Sequence, residues 1–184
     1  MNRRAFLVSM AGAAIALPAA CQPLAALPAG PADVLLIRHG EEPDNGPDLN
    51  DRGRDRARAL VTLFPQRFPA PTALFAARTT KASARSMETL QPLADALHLP
   101  VDDRFVDTRY SDLALLLLSD RRYSGGHILI CWHRETLPAL AAALGVARPP
   151  KWPSSQYDGI WLIRRAGTKT TLSVESQNLL ADDR

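Results

Sequence analysis

The stretch Asp33-Val34-Leu35-Leu36-Ile37-Arg38-His39-Gly40-Glu41 sets the reading of the whole chain. Its apolar run is continuous rather than alternating, which suits a strand buried on both faces of a parallel sheet. It ends abruptly in an arginine, a histidine and a glycine. A second run, His127-Ile128-Leu129-Ile130-Cys131-Trp132, ends in the same way at His133. If the two strands are neighbours, both histidines stand at one edge of the sheet. In open α/β folds that carboxyl edge is where ligands sit.

Helical patterns fill the space between the strands. Ala57, Leu60, Val61 and Phe64 share one face of a helix over 54–64, which Pro65 is expected to end. Residues 82–98 form a second helix, with Met87, Leu90, Ala94 and Leu97 on one stripe and a kink or break near Pro92. A third covers 111–119, and a fourth runs from Glu135 to Leu144 and closes at Gly145. Strands are also expected at 72–76 and in a closing hairpin around Ala166-Gly167. Strands alternating with helices predict an α/β three-layer sandwich with a mostly parallel central sheet.

A chain of 184 residues suits one domain, and 46% hydrophobic content supports a full core. The formal charge of +3 falls to +1 without Arg3 and Arg4, so nucleic acid is not an expected partner. Residues 1–21 have the layout of a signal peptide: Arg3-Arg4, a short apolar centre from Ala5 to Leu17, then small residues. Asn2-Arg3-Arg4-Ala5-Phe6-Leu7 resembles a twin-arginine export signal, and Leu17-Pro18-Ala19-Ala20-Cys21 resembles a lipoprotein cleavage box. Export to the periplasm or cell envelope is the expectation. A membrane tether through lipidated Cys21 stands beside a plain cleavable signal. Residues 22–32, with three prolines, read as a linker to a domain over 33–184. Cys21 and Cys131 cannot make a zinc site alone, and neither metal nor cofactor is expected.

Arg38, His39, Arg85 and His133 are the groups that metal-free phosphoryl transfer requires. Arginine binds phosphate through parallel hydrogen bonds, and neutral imidazole is a competent nucleophile near pH 7. Gly40 would let backbone approach the phosphate. His98, near a helix end, and His127, opening a strand, read as structural. Glu41 reads either as a partner for an arginine or as a solvated loop charge.

Leu36-Ile37-Arg38-His39-Gly40-Glu41 is similar to the opening motif of the histidine phosphatase, or phosphoglycerate mutase-like, superfamily. The resemblance continues in order. Asn45 lies where many members place a phosphate-pocket asparagine. Leu49-Asn50-Asp51-Arg52-Gly53 resembles the family's Leu-Thr-x-x-Gly segment, Ser83 to Thr89 the segment of the second arginine, and Cys131-Trp132-His133 the strand of the second histidine. Trp152-Pro153 and the spacing from Asp158 to Trp161 resemble a bacterial subset.

The resemblance implies a phosphoglycerate mutase-like fold and hydrolysis of phosphomonoesters through a phosphohistidine on His39. Arg38, Arg85 and His133 would bind the transferred group, with Gly40 and Asn45 in the pocket. One branch of the family places an acid directly after the second histidine. Here Arg134 stands there and Glu135 follows, so Glu135 is the first candidate for the proton donor and Asp107 the second. Glu135 reads equally well as favourable charge at a helix N-terminus. The expected partner is a small phosphorylated substrate, in a small or open pocket edged by Tyr110, Trp132 and Trp152. A non-catalytic phosphate-binding module and a phosphoglycerate-type mutase are the competing functions.

Overall fold

The computed structural model describes residues 30–184 except 168, 182 and 184. The expected signal peptide, Cys21 and most of the expected linker therefore lie outside the described residues.

The elements follow in the order β1 (Asp33–Arg38), α1 (Asp51–Arg67), β2 (Ala73–Ala76), α2 (Arg85–Leu97), β3 (Val101–Asp102), α3 (Tyr110–Ser119), β4 (His127–Trp132), α4 (Leu137–Ala143), β5 (Gly159–Ala166) and β6 (Lys169–Ser176). Single 3₁₀ turns at Asp107–Arg109 and Arg121–Tyr123 flank α3. One six-stranded sheet has the order β3-β2-β4-β1-β5-β6. β1 through β4 are parallel, and β5 and β6 form the antiparallel hairpin at one edge.

β1 and β4 are neighbours in parallel register, with Ile37 opposite Cys131 and Arg38 opposite Trp132. The His39 N–H donates to the Trp132 carbonyl at 3.2 Å, which carries the ladder one step past the strand. Both strands are apolar on both faces because both faces are covered. Val34, Leu36, Ile128 and Ile130 pack with Leu113 and Leu117 of α3 and Leu137 and Leu140 of α4. Leu35, Ile37, Leu129 and Cys131 pack with Leu60 and Phe64 of α1 and Leu90 and Leu93 of α2. Each such side chain contributes about 1.5–3 kcal/mol on burial. The result is the expected three-layer α/β sandwich.

Several boundaries differ from the sequence reading. α1 does not stop at Pro65 but runs to Arg67. In the last turn proline sacrifices a single backbone bond, buried Leu63 and Phe64 anchor the helix, and the Phe68 N–H closes it on Phe64 O at 3.0 Å. α2 starts at Arg85 rather than 82, because Thr80 and Ser83 bond each other's backbones and the Ala84 N–H donates to Pro47 O. It runs unbroken through Pro92, which stands beside the buried Leu93 and Ala94. α4 starts at Leu137 rather than Glu135. The His133 carbonyl accepts from both Thr136 and Leu137 N–H, so 134–136 form a tight turn instead. β3, only a residue pair long, is too short to leave a periodic signal.

Candidate active site

The site grows from the ends of β1 and β4. The rings of His39 and His133 meet edge to face with centroids 5.3 Å apart. His39 is 3% exposed, and its Nδ1 lies 2.8 Å from the Gly40 carbonyl. A carbonyl can only accept, so Nδ1 carries the proton and Nε2 keeps its lone pair. Burial, with help from the Arg38 and His133 charges, holds the imidazole down to about 4, although the Gly40 bond favours the cation. At neutral pH His39 is a fixed, unprotonated imidazole, the form a nucleophile requires.

Arg38 is 2% exposed, and its guanidinium is fastened on three sides. Nη1 donates to the Ser154 carbonyl at 2.7 Å, Nη2 to Glu42 Oε1 at 3.0 Å, and the Tyr157 ring lies 3.7 Å from its carbon. Arg85, at the first turn of α2, donates through Nη2 to the Gly46 carbonyl at 2.5 Å and pairs through Nη1 with Glu42 Oε2 at 2.7 Å. Glu42 thus bridges both arginines. Its carboxyl is held below the ordinary carboxylate range despite an opposing burial effect, because His39, Arg85 and Arg38 surround it. The Nε atoms of Arg38 and Arg85 are buried without partners among the described residues.

Of the two further positions expected in the phosphate pocket, Gly40 is engaged elsewhere and Asn45 faces solvent. The Gly40 N–H donates to Thr89 Oγ1 at 2.8 Å and is not free for a ligand. Gly40 is needed for packing, since a Cβ there would meet the Gly53 backbone oxygen at 2.9 Å. Asn45 is exposed on the 44–48 bend and stands outside the buried cluster. Gly46, with φ near 117°, turns that bend so that its own carbonyl, not the Asn45 side chain, meets Arg85.

The two candidate acids share one cavity of about 380 Å³ with His133, Arg78, Thr80 and Ser83. The Glu135 side chain is 59% exposed and pairs with Arg134 at 2.7 Å. Asp107 is better held: its carboxylate accepts from the Thr136 hydroxyl, and its carbonyl accepts from Trp132 Nε1 at 3.2 Å. Trp132 and Trp152 are buried in the core. The aromatic at the site is Tyr157, 6.3 Å from His39 between ring centroids. The sequence reading missed it, although it directly precedes Asp158 of the recurrent segment.

Beneath the site lies a buried ion cluster. Glu41 accepts from Arg56 Nη2 at 2.6 Å and from Arg52 Nε at 3.0 Å, and Arg56 also binds Asp183. Glu41 is therefore an arginine partner, not a solvated charge. His98 caps α2 in the left-handed conformation, and His127 pairs with Asp33 at 2.9 Å, both structural roles. Cys131 is fully buried, which pushes its thiol up to about 12.

The sheet order, the three layers and the paired histidines give this chain the phosphoglycerate mutase-like fold of the histidine phosphatases. Solved structures with this fold include phosphoserine phosphatase of Entamoeba histolytica in complex with 3-phosphoglyceric acid, at 16% identity and a TM-score of 0.57 over 80% of this chain and 99% of that one. The protein histidine phosphatase SixA complexed with tungstate aligns at 19% identity and a TM-score of 0.53, covering 79% and 97%. A mycobacterial glucosyl-3-phosphoglycerate phosphatase with inorganic phosphate aligns at 13% and 0.55, covering 78% and 95%. No protein-family model matches the sequence, and no curated protein does.

Proposed function

We propose that the protein is a metal-independent phosphomonoesterase that works through a phosphohistidine on His39. The observation that carries this reading is the state of His39: a buried ring, its Nδ1 proton fixed on Gly40, standing beside His133 and two convergent arginines. In the first step the Nε2 lone pair attacks phosphorus, the N–P bond forms and the ester P–O bond breaks. The arginines and His133 neutralise the equatorial oxygens. The departing oxygen takes its proton from the cavity lined by Asp107 and Glu135: the carboxyl group of Asp107, the better held of the two, gives the proton and regains one from the water that attacks next. Water then attacks phosphorus, releases inorganic phosphate and returns the imidazole.

The leading sequence supports action outside the cytoplasm, so the substrate would be a phosphorylated molecule of the cell envelope or beyond. Cell fractionation of the full chain tests this, and retention in the cytoplasm would refute it.

The deciding experiment is hydrolysis of an activated aryl phosphate with and without a chelator, beside His39→Ala. Chelator-resistant turnover that disappears in the variant is the expected result. Full activity in His39→Ala would remove His39 as nucleophile. Oxyanion binding without turnover on any ester would mark a phosphate-recognition module.

A further inference from the structure

The arginines suited to clamp a phosphoryl group already hold an anion. Glu42 Oε1 accepts from Arg38 Nη2 at 3.0 Å and from the Tyr157 hydroxyl at 3.3 Å, while Oε2 lies 2.7 Å from Arg85 Nη1. The other terminal nitrogens are engaged on carbonyls, Arg38 Nη1 on Ser154 and Arg85 Nη2 on Gly46. The terminal nitrogens that converge between the two arginines are therefore the ones Glu42 holds, beside the unpartnered Nε atoms of Arg38 and Arg85.

A carboxylate and a phosphoryl group make the same demand on arginine: oxygens in a row, carrying negative charge. A phosphoryl oxygen cannot take the N–H bonds that already point at Glu42. Arg38 cannot step aside, since it is buried and tied to Ser154 and Tyr157. Glu42 can, because its side chain is 32% exposed and its backbone belongs to neither helix nor strand. A displaced Glu42 carboxylate finds water at little cost, whereas an empty cradle would leave the buried Arg38 charge uncompensated.

We propose that Glu42 is an internal competitor for the phosphoryl group: the resting protein fills its phosphate cradle with its own carboxylate, and substrate must displace it. This rests on the phosphatase reading of the same pocket. The carboxylate keeps both guanidinium groups converged while the site is empty, and it lowers apparent affinity by the fraction of time the cradle is closed. That penalty belongs to the protein and not to the ligand. Removing it therefore strengthens every dianionic oxyanion by one common factor. A residue that touched the ligand would change each affinity by a different factor.

The test is calorimetric titration of inorganic phosphate and of tungstate into the full chain and its Glu42→Gln, Glu42→Ala and Glu42→Asp variants. Glu42→Ala is expected to bind both oxyanions at least tenfold tighter, with gains agreeing within threefold. Glu42→Gln should gain less. Glu42→Asp, a methylene too short to span both arginines, should fall between wild type and Glu42→Ala, and it serves if a bolder variant misfolds. Unchanged or weaker binding in the variants, or a gain for one oxyanion alone, overturns the proposal and makes Glu42 a positioning group for the arginines. Folded wild type and variants that bind neither oxyanion would overturn the phosphate-pocket reading as well.

Discussion

At the scale of single residues, the chemistry follows from how His39 is held. A nucleophilic imidazole must be unprotonated, and burial keeps His39 so down to about pH 4, well below its ordinary range near 6.5. The acid limb of kcat/KM reports the free enzyme's essential base. That limb is expected below pH 5, with activity sustained between pH 5 and 6.5, where an exposed histidine would already be protonated. A pH–rate profile with its limb near 6.5 would mean that His39 is not the group that must lose a proton. The donor assignment is tested by leaving groups. Asp107→Asn should slow an alkyl phosphate by about 10²–10⁴-fold and an activated aryl phosphate far less. Glu135→Gln, at an exposed side chain already paired with Arg134, should slow both by less than threefold. If the two variants exchange these profiles, Glu135 is the acid. Much of this cluster was legible in the sequence, because apolar strands ending in Arg38-His39 and His133 announce where their ends meet. Glu42 and Tyr157 were not legible. Their roles depend on contacts between residues 115 positions apart, and neither residue type at its own position distinguishes a pocket wall from a loop.

At the scale of elements, the first turn of α1 sets the position of the loop that carries Glu41 and Glu42. Asn50 caps the helix, its side chain accepting from the Gly53 N–H at 2.8 Å, while the Asn50 N–H donates to Glu41 O at 3.0 Å. Gly40 and Gly53 then lie backbone to backbone. A Cβ on Gly53 would stand 2.3 Å from the Glu41 carbonyl oxygen and 2.8 Å from its nitrogen, a clash with main chain that no rotamer relieves. The Leu-Asn-Asp-Arg-Gly segment is thus a cap followed by a contact that only glycine permits, which explains in physical terms why the pattern was readable. Gly53→Ala is expected to cost about 1–3 kcal/mol, as overpacking does, and to lower activity further by displacing Gly40 and Glu41, the residues that follow His39. Thermal melts and turnover measured together check this. A variant with wild-type melting temperature and wild-type kcat/KM would show that the loop does not depend on that contact. The errors in helix ends have the same local character. Pro65 reads as a stop and Pro92 as a kink or break in one dimension, yet α1 and α2 continue past them because burial of neighbouring leucines outweighs a lost bond.

At the scale of the whole molecule, Arg56 joins segments that are far apart in sequence. It sits on α1, where a charged residue is expected to face water, yet it is 2% exposed. Its guanidinium binds Glu41 in the loop after His39, Gln177 after β6, and Asp183 in the tail, with Asp183 also accepting from the Leu179 and Leu180 N–H groups. The sequence could not reveal this, because burial of an arginine is decided by distant carboxylates and not by helical periodicity. Arg56→Leu removes the buried cation that Glu41 and Asp183 share, leaves them the more exposed Arg52, and should cost up to about 3–5 kcal/mol. The cluster also shapes acid stability. Arg56 and the tail N–H bonds outweigh an opposing burial effect and hold Asp183 down to about 2, below its unfolded value of about 3.9. A depressed acid stabilises fully above the unfolded value, and that contribution is lost as pH falls through about 2. Asp183→Asn should therefore lower stability at pH 7 and flatten its decline between pH 4 and 2. In a double-mutant cycle, Arg56→Leu and Asp183→Asn should couple by more than about 1 kcal/mol, since they share a network. Additive losses would mean that the tail is held by Arg52 and by the Leu179 and Leu180 N–H groups, and that Arg56 serves only the loop bearing Glu41.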